Sequence, residues 1–156
     1  MVIRSYKAGD APKLAEVFFR SVREAALRDY TPAQVEAWAP SYPDPAEFGA
    51  RAEDGRTTWV AANSADEPFA YADLELTGHI DHVYCHPVAI GTGVASQLLD
   101  HVESAARSMG LPRLFVEASE AARRLFLRKG FKVVERRDFE LRSVSIHNYL
   151  MEKVLS

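Results

Sequence analysis

Apolar and polar positions change period several times along this chain, and each change predicts an element. Val2 to Tyr6 is a short apolar-rich run that reads as a first strand. Beyond Asp10, the apolar positions Leu14, Val17, Phe18, Val22, Ala25 and Ala26 recur at the spacing of one helical face. They predict a helix over 11–27 with Asp10 as its cap. Thr31 and Pro32 suit the cap and first turn of a second helix through Trp38, which the prolines of 40–45 break. A short helix over 45–55 ends at Gly55. Residues 57–63 and 67–76 read as strands joined by the polar turn Ser64 to Glu67.

The next run, 79–85, does not alternate cleanly. Its inward candidates Ile80, Val83 and Cys85 are separated by three residues and then two. One extra residue near Asp81 or His82 reconciles the spacing, which is the signature of a β-bulge. After Gly93, the stripe Val94, Leu98, Val102, Ala105 and Met109 predicts a long helix stopped by Gly110. Residues 113–118 read as a fully buried strand. Residues 119–130 read as a helix with Ser119 as cap and Gly130 as stop. Residues 131–141 and 144–155 read as a closing pair of strands in a hairpin. The order β-α-α-β-β-β-α-β-α-β-β, with the short helix at 45–55, is that of a mixed α/β fold in three layers.

Composition narrows the class. The chain has 156 residues, enough for one domain with a real core, and 47% hydrophobic and 26% charged residues are ordinary for a globular protein. A net charge of −3 argues against nonspecific nucleic-acid binding. The basic residues of 122–137 spread over a helix, a turn and a strand, which suits a solvated face or a phosphate contact. Cys85 is the only cysteine, so no internal disulfide forms. The N-terminus lacks the apolar core of a signal peptide, and no apolar run approaches the roughly 20 residues that span a bilayer. These features predict a cytoplasmic protein without a membrane partner.

Gly91 and Gly93 stand just before the longest helix. A strand, a glycine turn and a helix N-terminus make an anion site, because the first amides of the helix lack internal partners and the dipole adds positive charge. Glycine removes the side chains that would block a phosphate, Ala95 is nearly as small, and Thr92 and Ser96 add hydroxyls. A tight turn alone would also explain the glycines. No Lys-Ser/Thr follows, so this is not a P-loop, and a third glycine is missing for a dinucleotide fingerprint.

The segment Ile90-Gly91-Thr92-Gly93-Val94-Ala95, preceded by "HVYCHP", resembles the main motif of the GNAT superfamily of acetyl-CoA-dependent N-acetyltransferases, Gln/Arg-x-x-Gly-x-Gly/Ala. "SEAARRLFLRKGF", from Ser119, resembles the family's second block, N-x-x-A-x-x-L-Y-x-x-x-G-F. With the element order, the resemblance covers nearly the whole chain. It implies one N-acetyltransferase domain over 1–156, with a mostly antiparallel sheet splayed at its fourth and fifth strands and flanked by helices. It implies acetyl-CoA as co-substrate, with the pyrophosphate on Gly91, Thr92, Gly93, Val94, Ala95 and Ser96. The pantetheine would pair with the backbone of Val83, Tyr84 and Cys85. Ser119 and Phe126 fall in the second block. It is compatible with a homodimer.

Three positions depart from the pattern. Ile90 replaces the Gln or Arg that supports the pyrophosphate, Ser119 replaces Asn, and Phe126 replaces a tyrosine that protonates the leaving thiolate. A thiol pKa near ~8.5 lets the thiolate leave without that proton, so the enzyme would be slowed, not stopped.

The attacking amine arrives charged and needs a base. Asp81 or His82, directly or through water, with His79 behind, are the candidates, and an amide of Val83 or Tyr84 suits the oxyanion. Strand alternation sends His79 and Asp81 to one face and His82 to the other, which argues against a metal site. Tyr30 and Trp38 near helix ends, and Asn148 on the last strand, are the candidates for the acceptor pocket. The expectation is acetylation of a primary amine on a small molecule. The alternatives are a non-catalytic acyl-CoA-binding module and an interaction protein with vestigial motifs.

Overall fold

In the computed structural model, which describes residues 1–155, β1 (Val2–Ser5) leads into α1 (Ala11–Glu24), α2 (Pro32–Trp38) and α3 (Pro45–Ala52). Then come β2 (Thr57–Ala62), β3 (Pro68–Leu74), β4 (Val83–Cys85), α4 (Val94–Ser108), β5 (Arg113–Ala118), α5 (Glu120–Arg128), β6 (Lys132–Leu141) and β7 (Val144–Val154). The strands form two antiparallel sheets, ordered β1-β2-β3-β4 and β5-β7-β6.

The sheets touch at one end and part at the other. Ile80 N–H donates to Phe115 O (2.9 Å) and Phe115 N–H to Gly78 O (3.1 Å), a short parallel link. Gly78 permits it: its φ is +95°, and a Cβ there would lie 2.3 Å from Arg113 O. Beyond this link β4 and β5 diverge, leaving a wedge between them.

Alternation along β3 builds the three layers. Ala70, Ala72 and Leu74 face α4 and pack with Leu98, Val102, Leu114 and Met151. Tyr71 faces the other way, toward Leu14, Val17 and Phe48 of α1 and α3. Thr31 caps α2 in a reciprocal box with Gln34. The β6–β7 turn is made by Arg142 and Ser143, both at positive φ. Among the described residues no helix is long and apolar enough to cross a membrane.

Several elements differ from expectation. Asp10 makes no cap hydrogen bond to α1. Its carboxylate is held by Arg4 and by the Lys7 amide, which ties the helix start to β1. The buried stripe of α4 is Val94, Leu98, Leu99, Val102 and Ala106, whereas Met109 is exposed, because the helix ends at Ser108 and Met109 is its C-cap. β5 is not buried throughout: Leu114, Val116 and Ala118 are inside, and Arg113 and Glu117 are exposed. Of 79–85 only the last three residues are regular strand.

The bulge is present. Asp73 N–H donates to His82 O (3.1 Å) and Glu75 N–H to His79 O (2.8 Å). Two steps along β3 therefore match three along the facing chain, so one residue is extra.

Candidate functional site

The turn before α4 leaves its amides open. Gly91 and Gly93 have φ of +81° and +85°, and a Cβ at either would meet nothing within 4 Å. The first i→i−4 bond of the helix runs from Gln97 N–H to Gly93 O (3.1 Å), so the amides of Val94, Ala95 and Ser96 lie ahead of the ladder. Thr92 is a correction: its hydroxyl and its amide both donate to Ala89 O, so it lends no free donor to an anion. Lys129, at the end of α5, donates to the Ser96 hydroxyl (3.2 Å) and also pairs with Asp100. Nothing local in the sequence sets this cation apart from its basic neighbours. Ile90 is 47% exposed beside the turn.

Parity decides which β4 groups face the wedge. His82 O and His86 N–H both bond to β3, so 82, 84 and 86 are its hydrogen-bonded partners. Tyr84 N–H therefore belongs to β3 and cannot serve an oxyanion. Val83 and Cys85 point their N–H and C=O groups the other way, into the wedge. A groove of about 170 Å³ runs past them, lined by Ser21, Val22 and Ala25 on one side, Ile90 and Ala95 at the α4 end, and Ser119, Ala122 and Leu125 on the other. Burial pushes the Cys85 thiol up to about 11.

The three sequence-named base candidates go to two places. His79 bridges two carboxylates, Nε2 to Glu117 Oε2 (2.8 Å) and Nδ1 to Glu75 Oε2 (3.3 Å). His82 is buried, with Nδ1 2.7 Å from Asp73 Oδ2 and Nε2 3.3 Å from Arg51. Asp73 also accepts the amides of Asp81 (3.0 Å) and His82 (2.8 Å), so its carboxylate is what holds the bulge. Burial opposes the charge on Asp73, but its bonds from His82 and Arg56 keep the carboxyl below its usual range.

Asp81 does not share a face with His79 alone. The bulge breaks the alternation and brings the Asp81 carboxylate to 3.6 Å from His82 Nδ1. Asp73, Asp81 and His82 offer ligand atoms within 4.8 Å of one another, but Arg56 Nη1 bonds to both carboxylates at 2.9 Å and stands where a cation would sit.

Two smaller cavities open from the groove, and Trp38 borders the groove and both of them. One reaches Asp81, Val83, Glu117, Ser119 and the ring of Phe126. The Phe126 ring is buried edge-on against Phe131 (4.7 Å) and offers no proton donor. The other holds Tyr30, Tyr84, Glu117, Ser119, His147 and Asn148. Asn148 Oδ1 is buried without a hydrogen-bond partner. Tyr30 is already paired: its hydroxyl donates to His147 O (3.0 Å) and accepts from Glu120 N–H (3.1 Å), and burial pushes it up to about 12. Tyr30 is thus a wall that clamps α5 to β7.

Glu117 borders both cavities and was missed in the sequence. An alternating strand signals that it faces away from the core, but the wedge it faces is made by an element 30 or more residues distant, and only the fold reveals it.

Comparisons with known proteins bear on the family and the fold. The family model for the acetyltransferase (GNAT) domain matches residues 26–153. YafP of Escherichia coli K12, an uncharacterized N-acetyltransferase, is 30% identical over 149 residues, covering 96% of this chain and 93% of its own. The crystal structure of a GCN5-related N-acetyltransferase from Rhodopseudomonas palustris superposes with a TM-score of 0.89 at 32% identity, over 99% of this chain and 95% of that one. YncA from Salmonella typhimurium, solved with acetyl-CoA, shares the fold at TM-score 0.76 and 21% identity, over 100% and 94% of the chains.

Proposed function

The chain belongs to the GNAT family of acetyltransferases, and on that premise we propose that it moves the acetyl group of acetyl-CoA to the primary amine of a small molecule by direct attack on the thioester. The observation that carries this reading is two sets of unpaired backbone donors beside one groove, Val83 and Cys85 on β4 and the first turn of α4.

Acetyl-CoA supplies an acetyl group activated as a thioester. The amides of Gly93 to Ser96 receive a diphosphate, helped by the dipole of α4 and by Lys129 nearby. Cys85 and Val83 accept an extended chain as an added strand. The Val83 N–H stands ready for the negative charge that grows on the carbonyl oxygen when an amine attacks.

Glu117 takes the proton of the incoming ammonium, directly or through water, and His79 orients it. Asp81 borders the same cavity but shares its carboxylate with Arg56, which makes it the weaker acceptor. His82 positions the bulge with Asp73 instead of meeting the thioester. Asn148 Oδ1 accepts an N–H of the acceptor, and Trp38 and Tyr30 wall it in.

The second reading, a non-catalytic acyl-CoA-binding module, draws on Phe126, which cannot protonate a thiolate. Ser119 offers the leaving thiolate a hydrogen bond, and water supplies the proton. The Ser119 oxygen accepts from Ala122 N–H (3.3 Å), which leaves the hydroxyl proton free, and it borders the groove and both cavities. Calorimetric titration with acetyl-CoA tests the shared first half of both readings. Saturable binding supports them, and none at all overturns them.

A further inference from the structure

The two wedge cavities carry an uneven set of charges. The one that holds Asn148, of about 140 Å³, is walled by the rings of Tyr30, Trp38 and Tyr84, by Leu141 and Ile146, and by Glu117. The one that reaches Val83 has two carboxylates in its lining, Asp81 and Glu117. Among the described residues, no lysine or arginine lines either cavity. Their linings are shared: Trp38, Tyr84, Glu117 and Ser119 border both, and Val83 borders the second cavity and the groove.

The excess of negative charge continues behind the walls. Asp54, Asp73, Glu75 and Asp81 surround Arg56, and Glu75 and Glu117 bracket His79. His82 lies between Asp73 and the Arg51 guanidinium. Five carboxylates thus meet two guanidiniums and two imidazoles, so carboxylates are in excess even with both imidazoles protonated. Arg56 directs all five of its N–H donors at these carboxylates and has none left for an anionic ligand.

The rings point the same way. Trp38 stands edge-on to Tyr30 (5.7 Å) and to Tyr84 (6.4 Å), and an aromatic face attracts a cation and repels a carboxylate. The orphaned Asn148 Oδ1 is a further acceptor. Glu117 pairs with Leu150 across β5 and β7, so Asn148, two residues away, is its diagonal neighbour on the same face of the sheet. One nitrogen between them can donate an N–H to each.

We propose that this site selects a cation on an apolar body and rejects anions: the acceptor is an apolar primary amine of about the size of phenethylamine, with no carboxylate, sulfonate or phosphate group. The size follows from a cavity well below the roughly 300–1,000 Å³ that holds drug-sized ligands. The role of the nitrogen as nucleophile rests on the proposed acetyl transfer, whereas the preference for a cation does not.

Calorimetric titration of the protein, free and saturated with CoA, compares three ligands of one shape: phenethylamine, 2-phenylethanol and 3-phenylpropanoate. The proposal expects the ammonium to bind about tenfold tighter than the alcohol and at least about a hundredfold tighter than the carboxylate. In Glu117→Gln the advantage of the ammonium over the alcohol should largely vanish, with binding of the alcohol unchanged. No binding of phenethylamine, an alcohol or carboxylate that binds as tightly, or a variant that keeps the full advantage overturns the proposal. In turnover, phenethylamine should exceed phenylalanine, which differs from it by a carboxylate, at least about a hundredfold in kcat/KM, and equal values overturn it. Selective binding of the ammonium with no turnover of any amine sustains the cation site and overturns the transferase reading instead.

Discussion

His79 and Glu117 lie 38 residues apart in sequence and are hydrogen-bonded at 2.8 Å across the foot of the wedge, where the two sheets meet. The pair joins the bulged segment to β5 and puts a carboxylate at the mouth of both cavities beside Trp38. Glu117→Gln keeps the shape and the contact with His79 but cannot take a proton. Its kcat/KM should fall about 10²- to 10³-fold, with acetyl-CoA affinity within twofold of wild type. Steady-state kinetics and a binding titration separate the two, and unchanged kcat/KM removes Glu117 from the mechanism.

Gly93 begins α4 at a φ of +85° with open space where a side chain would stand. Any L-residue there costs about 1–2 kcal/mol of stability. Gly93→Ala and Gly93→Glu should therefore lose similar stability. The alanine variant should keep most of the rise in melting temperature caused by acetyl-CoA, and the glutamate variant should lose it, because its carboxylate competes for the phosphate position. Thermal melts with and without acetyl-CoA decide this, and an equal rise in both variants would contradict it.

Asn148 has a buried oxygen with no partner. A polar group left unpaired in a cavity is costly in the resting protein and is satisfied when an N–H arrives. Asn148→Leu should raise the acceptor KM about tenfold and leave the acetyl-CoA constant unchanged. A rise in both constants would mean that the residue supports the fold instead.

Cys85 lines the groove with its thiol pushed up by burial to about 11. Alkylation by iodoacetamide at pH 7.5 should be slow and should quicken about tenfold per pH unit toward that value, since the thiolate is the nucleophile. Saturating acetyl-CoA should protect it further. Mass spectrometry follows the modification, and labelling indifferent to acetyl-CoA would move the pantetheine elsewhere.

Asp73 accepts two amides and also bonds to His82 and Arg56. Asp73→Asn should cost about 3 kcal/mol, because Arg56 and His82 lose a charged partner in a buried place. The Asp73 carboxyl is depressed in the fold. Its contribution is thus fully present above the ordinary carboxyl value of ~3.9 and is lost as pH falls through the folded value. In urea unfolding, the gap between wild type and variant should hold from pH 5 to pH 8 and narrow below about pH 4. A gap that widens in acid would reverse the assignment.

Local signals told most of the fold and one half of the site. Gly91 and Gly93 are legible because a glycine pair at a helix start has few physical explanations. The bulge is legible because Ile80, Val83 and Cys85 cannot share a face without it. Side-chain partners across the wedge are not local. Plain alternation puts Asp81 and His82 on opposite faces, because it runs through the residue that breaks it, and nothing near them in sequence announces Asp73 or Arg56. Thr92 looked like a donor because its hydroxyl is present in the motif, yet the turn turns it back onto Ala89. Arg142 and Ala37 lie 105 residues apart and meet only when the β6–β7 turn reaches the end of α2.

Release of the CoA thiol from acetyl-CoA, followed from pH 6 to pH 9 across a panel of small primary amines and amino acids, tests the central claim most directly. The account predicts release that depends on the amine, yields its N-acetyl product by mass, and collapses in Glu117→Gln. Saturable acetyl-CoA binding with no amine-dependent release anywhere in that range would contradict it and leave a binding module in its place.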